Sequence, residues 1–219
     1  MNILCCGDSH SLVFNYCNKK QNDFVFDVCC MRGASSIGSI NPKSKTNSLN
    51  IFEKKIKSTT ADKILIMLGE VDCGFVIWLR SKKYNASVDK QINISINNLL
   101  KFIHDIVLKK SKFRKEDVIV CGSILPTIKD STNKKNFSIY RKNIHISHLE
   151  RTMKTLEYNN LLKERCSENG YKYIDITKNT IGKNGLIKND FLLPDTKDPH
   201  LNEKESYKLW LSEVKDILN

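Results

Sequence analysis

Five short apolar runs, each closed by glycine or polar residues and separated by longer stretches, restrict this chain to an alternating α/β fold. They cover residues 1–6, 24–29, 63–68, 118–121 and 171–176. Runs this short and this continuously apolar suit strands buried on both faces of a parallel sheet. The intervening stretches carry helical spacing instead. In residues 87–110, Ile92, Ile96, Leu99, Ile103 and Ile106 recur at steps of three and four, which predicts an amphipathic helix with one face on the sheet. A second helix is predicted to start at Ser147, with Glu150 completing a capping box and Gly170 as its stop. A last helix is predicted from Asn202, with Glu205 three residues on. Strands alternating with helices imply right-handed crossovers, and hence a three-layer αβα sandwich around a five-stranded parallel sheet. With 219 residues, 40% of them hydrophobic, and no linker-like stretch, one domain over 1–219 is expected.

Composition narrows the functional classes. The formal charge of +12 invites a nucleic-acid reading. Against it, only six of the 36 basic residues are arginine, and the lysines accompany abundant Asn and Ile, the bias of an AT-rich coding sequence. The lysine clusters also lack the aromatic interleaving of a dedicated binder, so specific nucleic-acid binding is not expected. No apolar run approaches the roughly 18 residues of a membrane span. Eight cysteines include the adjacent pairs Cys5-Cys6 and Cys29-Cys30 in strand-like runs, which reads as buried, reduced thiols and a cytoplasmic setting. There is no C-x-x-C pair and no zinc-type histidine spacing, so neither metal nor cofactor is expected.

Gly7 ends the first run and residues 11–17 begin a helical pattern, so Ser9 in Gly7-Asp8-Ser9-His10 falls on a strand-to-helix turn that lifts its hydroxyl out of the core. A serine hydroxyl is a weak nucleophile until a base accepts its proton, and the usual base is a histidine oriented by a carboxylate. Asp198-Pro199-His200 near the other terminus supplies both groups. The first three strands deliver Gly7-Asp8-Ser9, Arg32-Gly33 and Gly69-Glu70-Val71-Asp72 to one edge, where ligands of such sheets bind. The polar segment 127–143, with Lys129, Lys134, Lys135 and Arg141, is either a lid or binding surface or a solvated insertion.

These motifs resemble those of the SGNH/GDSL hydrolase superfamily, whose fold is a flavodoxin-like sandwich. The blocks are Gly7-Asp8-Ser9, Gly33, Gly69 to Asp72, and the loop around Asp198 and His200. A closer resemblance is to the group that pairs Gly-Asp-Ser-His-Ser with Gly-Glu-x-Asp, present here as residues 7–11 and 69–72 and joined by Gly33-Ala34-Ser35-Ser36-Ile37-Gly38 and Asn41-Pro42-Lys43-Ser44. That group is associated with polysaccharide or glycan assembly. The resemblance implies a serine esterase or deacylase acting on an O-acyl ester, such as a carbohydrate or glycan ester. Ser9 is then the nucleophile, His200 the base, Asp198 its orienting carboxylate, and the N–H groups of Ser9 and Gly33 the oxyanion donors. An O-acyltransferase using the same site and a non-catalytic glycan-binding or assembly module are the alternatives.

The chain departs from the superfamily pattern twice. Val71 stands where an asparagine usually gives a third oxyanion donor, and Arg32 is a candidate substitute. Lys197 stands three positions before the histidine, where the aspartate usually lies, which leaves Asp198 and Asp195 as competing partners of His200. Asp8 is expected to tie the turn through backbone hydrogen bonds. His10 either lines the pocket or bonds within the turn. Glu70 and Asp72 are expected to bond their loop and pair with Arg32, and Trp78 and Trp210 to serve packing or an interface.

Overall fold

In the computed structural model, which describes residues 1–133 and 145–218, five parallel strands form one sheet in the order β2-β1-β3-β4-β5. The strands are β1 (Asn2–Gly7), β2 (Val25–Cys30), β3 (Lys63–Met67), β4 (Val118–Cys121) and β5 (Lys172–Ile174). Each of the five apolar runs forms a strand, displaced by at most two residues at an end. Lys134, Lys135 and Arg141 of the polar segment lie outside the described residues.

Because side chains alternate across a strand, each strand feeds two cores. Leu4, Cys6, Ile64, Ile66, Val118 and Val120 face one layer, and Ile3, Cys5, Leu65, Met67, Ile119 and Cys121 face the other. The first core is covered by α2 (Ser48–Ser58), α3 (Ile77–Tyr84), α4 (Val88–Phe102) and α5 (His148–Asn169). The second is covered by α1 (Val13–Asn18) and α7 (Glu203–Leu218), through Phe14, Cys17, Trp210 and Val214. A one-turn helix, α6 (Thr177–Thr180), follows β5. Among the described residues, no helix is long and apolar enough to cross a membrane.

The helix ends follow their capping chemistry. Ser87 accepts from Lys90 N at 3.2 Å to start α4, and Ser147 accepts from Glu150 N at 3.1 Å to start α5. Gly170, at φ 77°, closes α5. Asn202 caps α7 through Lys204 N at 3.1 Å rather than through Glu205. All eight cysteines are free, although Cys29 and Cys30 are half-buried rather than sealed, because they lie at the open carboxyl end of β2.

Strand β1 lies at the switch point of the sheet, with β2 on one side and β3 on the other. At its end the chain presses against β3. A Cβ on Gly7 would sit 2.7 Å from Met67 O and 2.7 Å from Ser11 Cβ, so only glycine lets Asp8 N reach Met67 O at 3.1 Å. Gly7→Ala is therefore expected to lower stability by about 1–3 kcal/mol. Urea unfolding monitored by circular dichroism measures it, and an unchanged midpoint would refute the close contact.

Candidate active site

The turn after β1 is built by Asp8. Its carboxylate accepts from His10 N at 2.9 Å and its carbonyl accepts from Ser11 Oγ at 2.7 Å, which fixes the short 3-10 turn Ser9–Leu12. Asp8, His10 and Ser11 are buried, and Ser9 alone of the four stands half-exposed. Burial pushes the Asp8 carboxyl up to about 7, against the opposing pull of the His10 charge.

His200 arrives from the other end of the chain, on a loop held beside the site by an antiparallel bridge between Leu192 and Leu201 and by Asn202 N donating to Phe191 O at 2.9 Å. Its Nδ1 lies 2.5 Å from Asp198 Oδ1, which also accepts from His200 N at 2.9 Å. Asp195 instead accepts from Lys197 N at 3.0 Å, so Asp198 is the carboxylate on the imidazole. His200 Nε2 is buried and has no hydrogen-bond partner among the described residues. With Nδ1–H given to Asp198, Nε2 carries the lone pair. Burial, reinforced by repulsion from His10, lowers the His200 pKa below its ordinary value, against the pull of Asp198.

Ser9, His10, Arg32, Asp198 and His200 line a single cavity of about 420 Å³, whose remaining wall is largely apolar and includes Leu12, Val13, Ile124 and Trp210. Gly33, Glu70 and Asp72 are not on that wall. Gly33 is exposed in the turn after β2, at φ 75°, a conformation that favours glycine. Val71 is buried, so the third block brings no side-chain donor at that position.

The expected pairing of Arg32 with Glu70 or Asp72 is not formed. Glu70 Oε2 lies 3.2 Å from His10 Nε2, and Asp72 accepts from Ser36 N at 2.6 Å and Ile37 N at 3.1 Å. Both acids are buried, whereas Arg32 is exposed at the cavity wall. Asp72 thus ties the segment after Gly33 to the end of β3. Burial pushes its pKa up to about 6, against those two N–H donors. Trp210, expected to pack or to serve an interface, is buried and also lines the cavity.

A second recess of about 320 Å³ adjoins the first, sharing Leu193 and Asp198 with it, and is lined by Thr127, Lys129, Asn189, Asp195 and Thr196. The sequence singled out Lys129 in this recess only as part of a polar loop, since nothing local ties residue 129 to residue 195.

No protein-family model and no curated protein matches this sequence. Solved structures do match it over their whole folds. A GDSL-like lipase from Bacteroides thetaiotaomicron superposes with a TM-score of 0.60 at 12% identity, over 98% of this chain and 86% of that one. This is the fold of the SGNH/GDSL hydrolases. A lipase/acylhydrolase from Enterococcus faecalis superposes at TM-score 0.57 and 15% identity, covering 98% of this chain and 95% of that one. An acetyl xylan esterase does so at 0.53 and 13%, with both chains fully covered.

The buried acids give this version of the GDSL fold a pH signature. Asp8 has a folded pKa of about 7, above its unfolded value of roughly 3.9, so its contribution to stability is complete below about pH 4 and lost as pH rises through 7. Asp8→Asn keeps the oxygen that accepts from His10 N but cannot ionise. The stability of the variant relative to the parent should therefore rise between pH 5 and pH 8, by on the order of 1–4 kcal/mol. Denaturant titrations at the two pH values measure this, and a constant difference would show that Asp8 does not titrate in that window.

Proposed function

We propose that this protein is a serine esterase that cleaves an O-acyl ester through an acyl-Ser9 intermediate. The observation that carries the reading is the buried Nε2 of His200, without a hydrogen-bond partner among the described residues and in one cavity with Ser9 while Asp198 holds Nδ1. In the proposed reaction Ser9 Oγ attacks the ester carbonyl carbon and His200 Nε2 takes the hydroxyl proton. The carbonyl oxygen becomes an oxyanion, with the N–H groups of Ser9 and Gly33 as proposed donors. As the intermediate collapses, the C–O bond to the alcohol breaks and His200 returns the proton to the leaving oxygen. Water then repeats the sequence on the acyl-enzyme and releases the acid and Ser9. An imidazole with a lowered pKa is neutral near pH 7 and therefore able to accept that first proton.

The cavity wall of Leu12, Val13, Ile124 and Trp210 suits the acyl group, and Thr127, Lys129, Asn189 and Thr196, beside Leu192 and Pro194 in the adjoining recess, offer hydrogen bonds to a hydroxyl-rich alcohol, which supports a carbohydrate ester as substrate. The superposition on an acetyl xylan esterase accords with that class. Val71 leaves the oxyanion one donor short, and loss of one donor typically costs about 2.7–4 kcal/mol of transition-state stabilisation. Arg32, exposed at the cavity wall and unclaimed by Glu70 or Asp72, offers a charge in its place.

Fluorophosphonate labelling of the purified protein, read by intact mass and peptide mapping, tests the nucleophile. An adduct on Ser9 is expected in the parent protein, with loss of labelling in Ser9→Ala and His200→Ala, and a larger rate loss in Asp198→Asn than in Asp195→Asn. Absence of any adduct on folded parent protein would overturn the esterase reading. Leu12→Trp narrows the cavity and should raise KM for octanoyl esters about tenfold relative to acetyl esters, because that site discriminates by volume. An unchanged chain-length profile would remove the cavity as the acyl site.

A further inference from the structure

The reaction just described uses the neutral form of His200 but gives no role to the histidine packed against it. His10 and His200 lie with ring centroids 4.5 Å apart at an interplanar angle of 39°, although the residues come from opposite ends of the chain. On its far side His10 Nε2 meets Glu70 Oε2 at 3.2 Å, with side-chain exposures of only 5% and 8%. The titratable groups at this end of the sheet are Asp8 in the turn of His10 itself, Glu70 and Asp72 after β3, and Asp198 with His200 before α7. The end of β2 adds the Cys30 thiol, whose Sγ lies 3.5 Å from Asp8 O, and Arg32 at the cavity wall. A carboxylate buried beside an imidazole favours the imidazolium. A cation in ring contact with His200 then opposes a second proton there.

We propose that His10, charged through its pair with Glu70, is a positioning residue that holds His200 in its neutral, proton-accepting form. The proposal rests on the esterase reading for its purpose but not for its test. His10 packs against the base and its charge biases the protonation of that base, so the site keeps a free lone pair on Nε2 to lower pH than the Asp198 pair alone would allow. The same repulsion makes protonated His200 a stronger acid toward the leaving alkoxide, which offsets its weaker basicity in the first step. Burial of the His10–Glu70 pair shields it from solvent screening, so its effect on His200 persists at higher salt.

The experiment has two arms. In the first, kcat/KM for a p-nitrophenyl ester is followed from pH 4.5 to 8.5. His10→Gln should move the acid limb up by about one pH unit, lowering activity roughly tenfold at a fixed pH on that limb, while the plateau changes by a small factor. Glu70→Gln removes the countercharge of His10 and should move the limb in the same direction. A direct effect of the Glu70 charge on His200 would move it down instead, because loss of a negative charge lowers the pKa of a neighbouring imidazole. An unshifted limb in folded His10→Gln, or a downward shift in Glu70→Gln, overturns the proposal. In the second arm the ring signals of isotopically labelled histidines in the parent protein are titrated by NMR, with the His200 signal assigned from its absence in His200→Ala. The proposal requires His10 to be protonated throughout the range in which His200 titrates, and a neutral His10 there overturns it. This arm needs neither turnover nor folding of the His10 variants, so failure of the esterase reading and failure of this proposal are distinguishable.

Discussion

The close approach of β1 to β3 at Gly7 is the constraint on which the rest of the site depends. Strand β1 is hydrogen-bonded on both sides and its side chains supply both cores, so its position is fixed before any functional residue is placed. The bond from Asp8 N to Met67 O extends that fixity one residue beyond the strand. The turn leaves a rigid anchor, and the half-exposed Ser9 side chain is held by backbone geometry rather than by a mobile loop. The Asp72 carboxylate ties the segment after Gly33 to the end of β3 by accepting from two backbone N–H groups, so the ends of β1, β2 and β3 are coupled.

The site pays for this order in buried acid. Asp8, Glu70 and Asp72 are all nearly inaccessible, and burial raises the pKa of Asp8 and of Asp72 despite backbone donors to each carboxylate. Such groups are poorly suited to stabilising a fold at neutral pH. They are better understood through what they hold. Asp8 shapes the turn, Asp72 fastens a loop, and Glu70 engages His10, which touches His200. The polar cluster behind the cavity is thus continuous with the imidazole in front of it.

Much of the architecture was legible in the sequence, because burial on both faces makes parallel strands read as short apolar runs. Ser87, Ser147 and Gly170 marked helix ends correctly, since capping is local chemistry. Helix α2 was not anticipated. Its sequence is lysine-rich and only Phe52 and Ile56 are buried apolar residues, too few for a periodic signal. The supposed pairing of Arg32 with Glu70 or Asp72 failed for a related reason. A shared place at the strand ends and opposite charge nominated those partners, but both acids turned inward to His10 and to backbone amides while Arg32 stayed outside.

The sequence alone determined the strand–helix alternation, the turn that carries Ser9 and the carboxylate–histidine motif at residues 198–200, because each is written in neighbouring residues. Tertiary structure alone decided which aspartate meets the imidazole, which partner Glu70 takes, that Trp210 lines a cavity as well as filling a core, and that His10 and His200 touch. Each of these joins residues from separate elements or depends on the path of a loop. Which polar group meets which is settled by the packing of β1, β3 and α7 around one edge of the sheet, and charge and spacing along the chain do not encode that packing locally.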